Sequence, residues 1–339
     1  VNFEDFSDGP CQTYKELRER KEKYPFLGYA ATSWPYHTQY DDVEGRVSDC
    51  MLRLFIPQKN PRLASMLQAC DNIFVYPNRG GDDFLEFSTN STRDELKARK
   101  RNMNSLAIAA FFGFNGVLKE IVESGADIDA PGTIWGNALQ SAVSSGHMEA
   151  VRNLLDFGAD INFPGCGGYG TALMAAIGWG NQEIIDLLLE LNANVTIRGG
   201  LYYTALHTAV LRHDVPTMKR LIQREADIDF GRDSWKPYSD SLPLSMAASN
   251  GSSRAALLLI ASGASLCNIP ISKWANRLAI GHSKAPTKEW ALMFAEQLSH
   301  LGHYVEVVDN LEEEASLEEE DRGRRLPFIF RDQVVCSSP

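Results

Sequence analysis

The sequence predicts an all-α solenoid of about five stacked helix pairs, with helical segments at both ends. Three observations predict it. A closing motif recurs as Gly125-Ala126-Asp127, Gly158-Ala159-Asp160, Asn192-Ala193-Asn194, Glu225-Ala226-Asp227 and Gly263-Ala264-Ser265, at offsets of 33, 34, 33 and 38 residues. An opening motif keeps the same register: Ser105-Leu106, Ala138-Leu139, Ala172-Leu173, Ala205-Leu206 and Pro243-Leu244, each Leu followed three residues on by Ala. Between the motifs lie two short apolar-periodic segments split by a turn. Isolated helices below about 12–15 residues are marginal in water, so each unit must bury its apolar face against a copy of itself.

The best-formed copy is 131–163, which carries both Gly146-His147 and the complete Gly-Ala-Asp ending. The period near 33 residues, together with Thr204-Ala205-Leu206-His207-Thr208-Ala209, resembles the ankyrin repeat. That resemblance implies an ankyrin-repeat solenoid over 98–268. It also implies that His207 ties a hairpin to its helix, and that binding uses hairpin tips and first-helix residues.

Ahead of the array, 1–97 reads as a helical segment. Thr13 followed by Glu16 is a capping box, each side chain satisfying a free backbone N–H of the other. Val43, Val47, Cys50, Met51, Leu54 and Phe55 recur at helical spacing, and Asn60-Pro61 opens a further helix. Asp5-Phe6-Ser7-Asp8-Gly9-Pro10-Cys11, Tyr24-Pro25-Phe26-Leu27, Tyr29-Ala30-Ala31 and Trp34 resemble the segment that precedes the repeats in fungal NACHT–ankyrin (NLR-like) proteins. The resemblance implies a nucleotide-hydrolysing module upstream. The chain begins at Val1 without a methionine and is read as a piece of a longer protein.

Within the array, glycine at the closing position suits the left-handed end of a helix. Asn192 retains some tolerance for it and Glu225 does not, so strain or an altered turn is expected at Glu225. His213-Asp214-Val215-Pro216 replaces the usual Gly-His, with Asp214 able to cap and Pro216 in the first turn. The longer fourth spacing places an insertion at 231–242, in a projecting loop. Residues 269–310 should hold a further helix pair, with Trp290, Met293, Phe294, Leu298 and Leu301 on one face, acting as a C-terminal cap. The carboxylate runs of 311–339 read as a disordered tail.

Composition narrows the function. A net charge of −11 argues against nucleic acid, which calls for a basic footprint. Apolar runs are too short to span a bilayer, so no membrane role is expected. The six cysteines form no framework, which fits reduced thiols and a cytoplasmic protein. Gly165-Cys166-Gly167-Gly168-Tyr169-Gly170 satisfies Gly-x-Gly-x-x-Gly, yet no strand precedes it, so a hairpin is the better reading. His300 and His303 lack partners to complete a metal site. No P-loop, nucleophile elbow or zinc-protease motif occurs. The expectation is a protein-binding scaffold that is not an enzyme and has no cofactor or metal.

The candidate partner surface is the hairpin row. Trp135, Tyr169 and Tyr202 each stand two residues before a helix start, with Tyr203, Trp235 and Tyr238 extending the line. These rings either stand exposed as binding hot spots or pack between hairpins as spacers. First-helix residues Gln140, Ser144, Trp179 and Arg212 complete the expected surface.

Overall fold

The computed structural model describes residues 104–131, 136–165, 169–200, 203–230, 242–266, 271–281, 287–309 and 328–332, with Glu19 and Lys23 singly. The rest of 1–97, including the NACHT-like segment, lies outside the described residues, as do 231–241 of the insertion. The described residues fall into two compact units that part at Ala193/Asn194, with Gly199 and Gly200 on the side of the first. Among them are twelve helices and one two-stranded sheet. The chain is thus an all-α repeat protein, with its short sheet at the C-terminal end.

The first unit contains three helix pairs: α1 (Ser105–Phe112) with α2 (Asn115–Glu123), α3 (Ala138–Ser145) with α4 (Met148–Asp156), and α5 (Ala172–Trp179) with α6 (Gln182–Glu190). Each first helix opens on a polar cap. Asn104, Asn137 and Thr171 accept from the backbone N–H of Leu106, Gln140 and Met174, satisfying donors that the helix start would otherwise leave bare. The first helices stack on one another, as do the second helices, giving two layers. First helices are buried nearly all round, from Ala138 through Ser144 in α3. Second helices bury only one stripe: Val117, Leu118 and Ile121, then Ala150, Val151 and Leu154, then Ile184, Ile185, Leu188 and Leu189. Leu118, Leu154 and Leu188 are each 0% exposed, and burying such a side chain contributes about 1.5–3 kcal/mol.

The second unit repeats the plan with α7 (Ala205–Leu211), α8 (Val215–Gln223), α9 (Pro243–Ser249) and α10 (Ser253–Ala261). Asp214 accepts from Thr217 N at 3.1 Å, and Pro216 sits in the first turn of α8, so the departure from Gly-His leaves the helix intact. At the fourth closing position Glu225 takes φ 63. Its N–H reaches Ile222 O at 3.0 Å and Ala226 N reaches Leu221 O at 3.0 Å, the same pair of bonds that Gly158 and Ala159 make. The turn is kept and the backbone is strained. His213, where the first three repeats have Gly113, Gly146 and Gly180, is likewise left-handed at φ 54.

The unit continues with α11 (Ile271–Gly281) and α12 (Lys288–His300), then β1 (Val305–Asp309) paired antiparallel with β2 (Phe328–Asp332). The two strands correct the expectation of a helix pair followed by disordered chain. Val305, Val307 and Val308 against Phe328, Ile329 and Phe330 supply the β-branched and aromatic side chains that favour a half-buried strand. Residues 311–327 and 333–339 of the acidic segment lie outside the described residues. No described helix is long and apolar enough to cross a membrane.

Candidate protein-interaction surface

In the first unit, successive hairpins are fastened by Gln140, a side chain that sequence position alone assigned to the surface. Gln140 is 2% exposed. Its Oε1 accepts from Asn137 N at 3.2 Å, and its Nε2 donates to Phe163 O at 3.1 Å and Gly170 O at 3.3 Å. One amide therefore completes the capping box of α3 and holds the next hairpin. Gly136 and Gly165 leave room for it, since a Cβ at either would collide with its carboxamide. Gln140 is consequently withdrawn from the partner surface. Ser144, 7% exposed, is withdrawn with it. The first helix is enclosed by its neighbours, so a position on it does not imply access.

Asp129 makes a second junction. Its carboxylate accepts from Asn137 Nδ2 at 3.1 Å and from Asp160 N at 3.1 and 3.2 Å, joining the turns of successive repeats. Asp229 does the same in the second unit, accepting from Ser265 N at 2.8 Å. The glycines of the Gly-x-Gly-x-x-Gly match find their reason here. Gly165 N donates to Gly170 O at 2.6 Å, closing a hairpin. Gly170, at φ +78, lies so close to the main chain of Gly199 that a Cβ would stand 2.6 Å from its carbonyl carbon. Residues 166–168 lie outside the described residues, and the described chain before Gly165 forms turns, not a strand.

The rings separate into groups. Tyr169 and Trp179, both half-buried, lie with centroids 6.3 Å apart. Gly178 admits the Tyr169 ring, because a Cβ there would collide with it. This pair presents an aromatic face at the end of α5. In the second unit, Tyr203 is 43% exposed and left-handed at φ 62. Its ring is 5.5 Å from that of His207 and 6.1 Å from that of Phe230. His207 is fully buried, and its Nδ1 lies 2.7 Å from Thr204 Oγ1, the cap of α7, so the imidazole braces the start of its own helix. Arg212 is exposed at the end of α7. Trp135, Tyr202, Trp235 and Tyr238 lie outside the described residues.

Two residues missed in the sequence join this face. Arg198 stacks its guanidinium 4.6 Å over the Phe230 ring and approaches Asp227 at 3.8 Å. The signal for Phe230 was available, because it stands five residues after Glu225 as Phe163 does after Gly158. Among the described residues, no group of three His, Cys, Asp or Glu is gathered to hold a metal. Burial against Gly113 lowers the pKa of His147, while its bond to the Phe111 main chain acts in the opposite sense.

Paired helices, capped first members, left-handed glycine ends and hairpin-to-hairpin bonds recur on one period. A family model for ankyrin repeats matches residues 106–199, as three copies. Residues 106–199 are ankyrin repeats. Ankyrin repeats are generally protein–protein interaction modules, and the matched repeats contain both the Gln140 fastening and the Tyr169–Trp179 pair. A search among curated proteins returns no match to the chain.

Proposed function

We propose that this chain is a non-enzymatic protein-binding scaffold whose partner surface is the aromatic edge of its hairpins. Tyr203 carries the reading. A bulky residue with positive φ is a backbone outlier, and such strain collects at sites where geometry serves a purpose. Here the strained residue holds an aromatic ring 43% exposed, beside Phe230 and Arg198. Aromatic and arginine side chains dominate interface hot spots. Tyr169, Trp179 and Arg212 offer the same chemistry, and Trp135, Tyr202, Trp235 and Tyr238 extend the surface by their register in the sequence. The scattered cysteines and short apolar runs favour a cytoplasmic setting.

The test is partner capture by the full chain against Tyr203→Ala and the triple variant Trp135→Ala, Tyr169→Ala, Trp235→Ala. Capture should fall while thermal unfolding stays within a few degrees. Undiminished capture rejects the surface, and unfolding of the variants reassigns the rings to packing. Turnover by the isolated chain would overturn the non-enzymatic part.

A second reading makes these repeats the sensor end of a nucleotide-driven switch. It rests on the NACHT-like residues Asp5–Cys11, Tyr24–Leu27 and Trp34. A P-loop encoded upstream of Val1 supports it, and a complete gene without one rejects it.

A further inference from the structure

The last helix pair holds a strand that returns from a distant point in the chain. β2 pairs with β1 from Val305↔Asp332 to Asp309↔Phe328. On its other side, Asn276 of α11 takes hold of the Phe330 main chain. Its Nδ2 donates to Phe330 O at 3.0 Å, and its Oδ1 accepts from Phe330 N at 2.7 Å. Antiparallel strands turn alternate main-chain groups to either side, so this carboxamide occupies the place of a neighbouring strand.

Side-chain recognition follows the pleat, which puts Phe328, Phe330 and Asp332 on one face. The two rings enter a box made by Trp290 and Phe294. Centroid distances are 6.5 Å for Trp290–Phe328, 6.3 Å for Trp290–Phe330 and 6.0 Å for Phe294–Phe330. Phe328 is 0% and Phe330 2% exposed. Asp332 reaches the first turn of α11, accepting from Ser272 N at 3.1 Å and from Ser272 Oγ at 2.6 Å. A helix start has unsatisfied N–H groups and a positive dipole end, so it selects a carboxylate there.

We propose that the groove between α11, α12 and β1 is a peptide-binding site for an extended Phe-Ile-Phe-x-Asp segment, occupied in cis by Phe328–Asp332, whose Ile329 is buried as well. Main-chain bonds along a strand edge, pockets for alternate side chains and a charged terminus are the parts from which strand-addition peptide sites are built. Residues 310–327, which join groove to ligand, are rich in carboxylates at Glu312–Glu314 and Glu318–Asp321. A partner presenting an exposed strand of the same pattern would compete with the cis segment. The site is independent of the aromatic hairpin edge.

The experiment uses the full chain with a protease recognition sequence replacing residues within 311–321. After cleavage, uptake of a labelled Leu-Pro-Phe-Ile-Phe-Arg-Asp peptide (residues 326–332) is followed by fluorescence anisotropy. The nicked chain should take up the peptide. The uncut chain should bind it at least about tenfold more weakly, since a tethered copy competes at an effective concentration of about millimolar. Phe330→Ala in the peptide should weaken binding about 100-fold, and Asp332→Asn about threefold. Both changes are in the ligand and cannot unfold the groove. Asn276→Ala in the protein should weaken uptake as well. No uptake by the nicked chain, or equal binding of the Phe330→Ala peptide, overturns the proposal. Loss of hydrogen-exchange protection in α11 and α12 once the cut segment leaves overturns it too, because the strand would then be core and not ligand.

Discussion

Replacing Glu225 by glycine should stabilise the second unit. Glu225 holds φ 63 at the turn that Gly125, Gly158 and Gly263 make at φ 86, 92 and 89. At those three glycines a Cβ would meet nothing within 4 Å, so the obstacle to a side chain at this turn is the backbone angle, not crowding. The left-handed conformation costs an L-residue about 1–2 kcal/mol. Glycine's extra freedom in the unfolded chain offsets about 0.5–1 kcal/mol of the relief. The net gain should be about 0.5–1 kcal/mol, which raises a urea midpoint by about 0.3–0.5 M for a typical denaturant slope. Repeat arrays can depart from two-state unfolding, so exchange of the Ala226 amide, bonded to Leu221 O at 3.0 Å, gives the local check. Asn192→Gly should gain less, because asparagine visits this region readily. Gly158→Ala should lose about 1 kcal/mol. A Glu225→Gly chain with an unchanged or lowered midpoint would refute the reasoning.

Gln140→Ala should cost about 2–3 kcal/mol by urea denaturation, because Asn137 N, Phe163 O and Gly170 O lose a buried partner together. Gly170→Ala should cost more than about 2 kcal/mol, combining φ +78 with a clash against Gly199, and should lower the melting temperature of the first unit. His147 makes stability depend on pH. Its folded pKa is lowered by burial, so its contribution is complete above the unfolded value near 6.5 and is lost as pH falls from there towards the folded value. Urea midpoints should therefore drop between pH 7.5 and 5.5, and His147→Gln should flatten that slope.

The repeat register was legible because it rests on backbone requirements. A left-handed turn asks for glycine, and a first helix pressed between neighbours asks for alanine at a fixed place. Those demands recur every repeat, as at Gly125, Gly158 and Gly263. Access was harder to read. Gln140 and Trp179 both lie on first helices, yet Gln140 is enclosed by the next hairpin while Trp179, the last residue of α5, is half-exposed. Asn137 followed three residues on by Gln140 was itself a capping-box signal, and it already pointed inward. The strands were hidden for a different reason. Phe328-Ile329-Phe330 has strand character, but carboxylate-rich neighbours dominate the local composition, and its partner β1 is remote in sequence.

The Gln140 carboxamide passes between Gly136 of its own repeat and Gly165 of the next. These three positions therefore change together or not at all. An engineer who transplanted residues 131–163 as a module would import a side chain that the receiving neighbour has no space to accept. In this part of the chain the heritable unit is the junction between repeats, and shuffling, duplication or consensus design would have to cut elsewhere than at the motif boundaries.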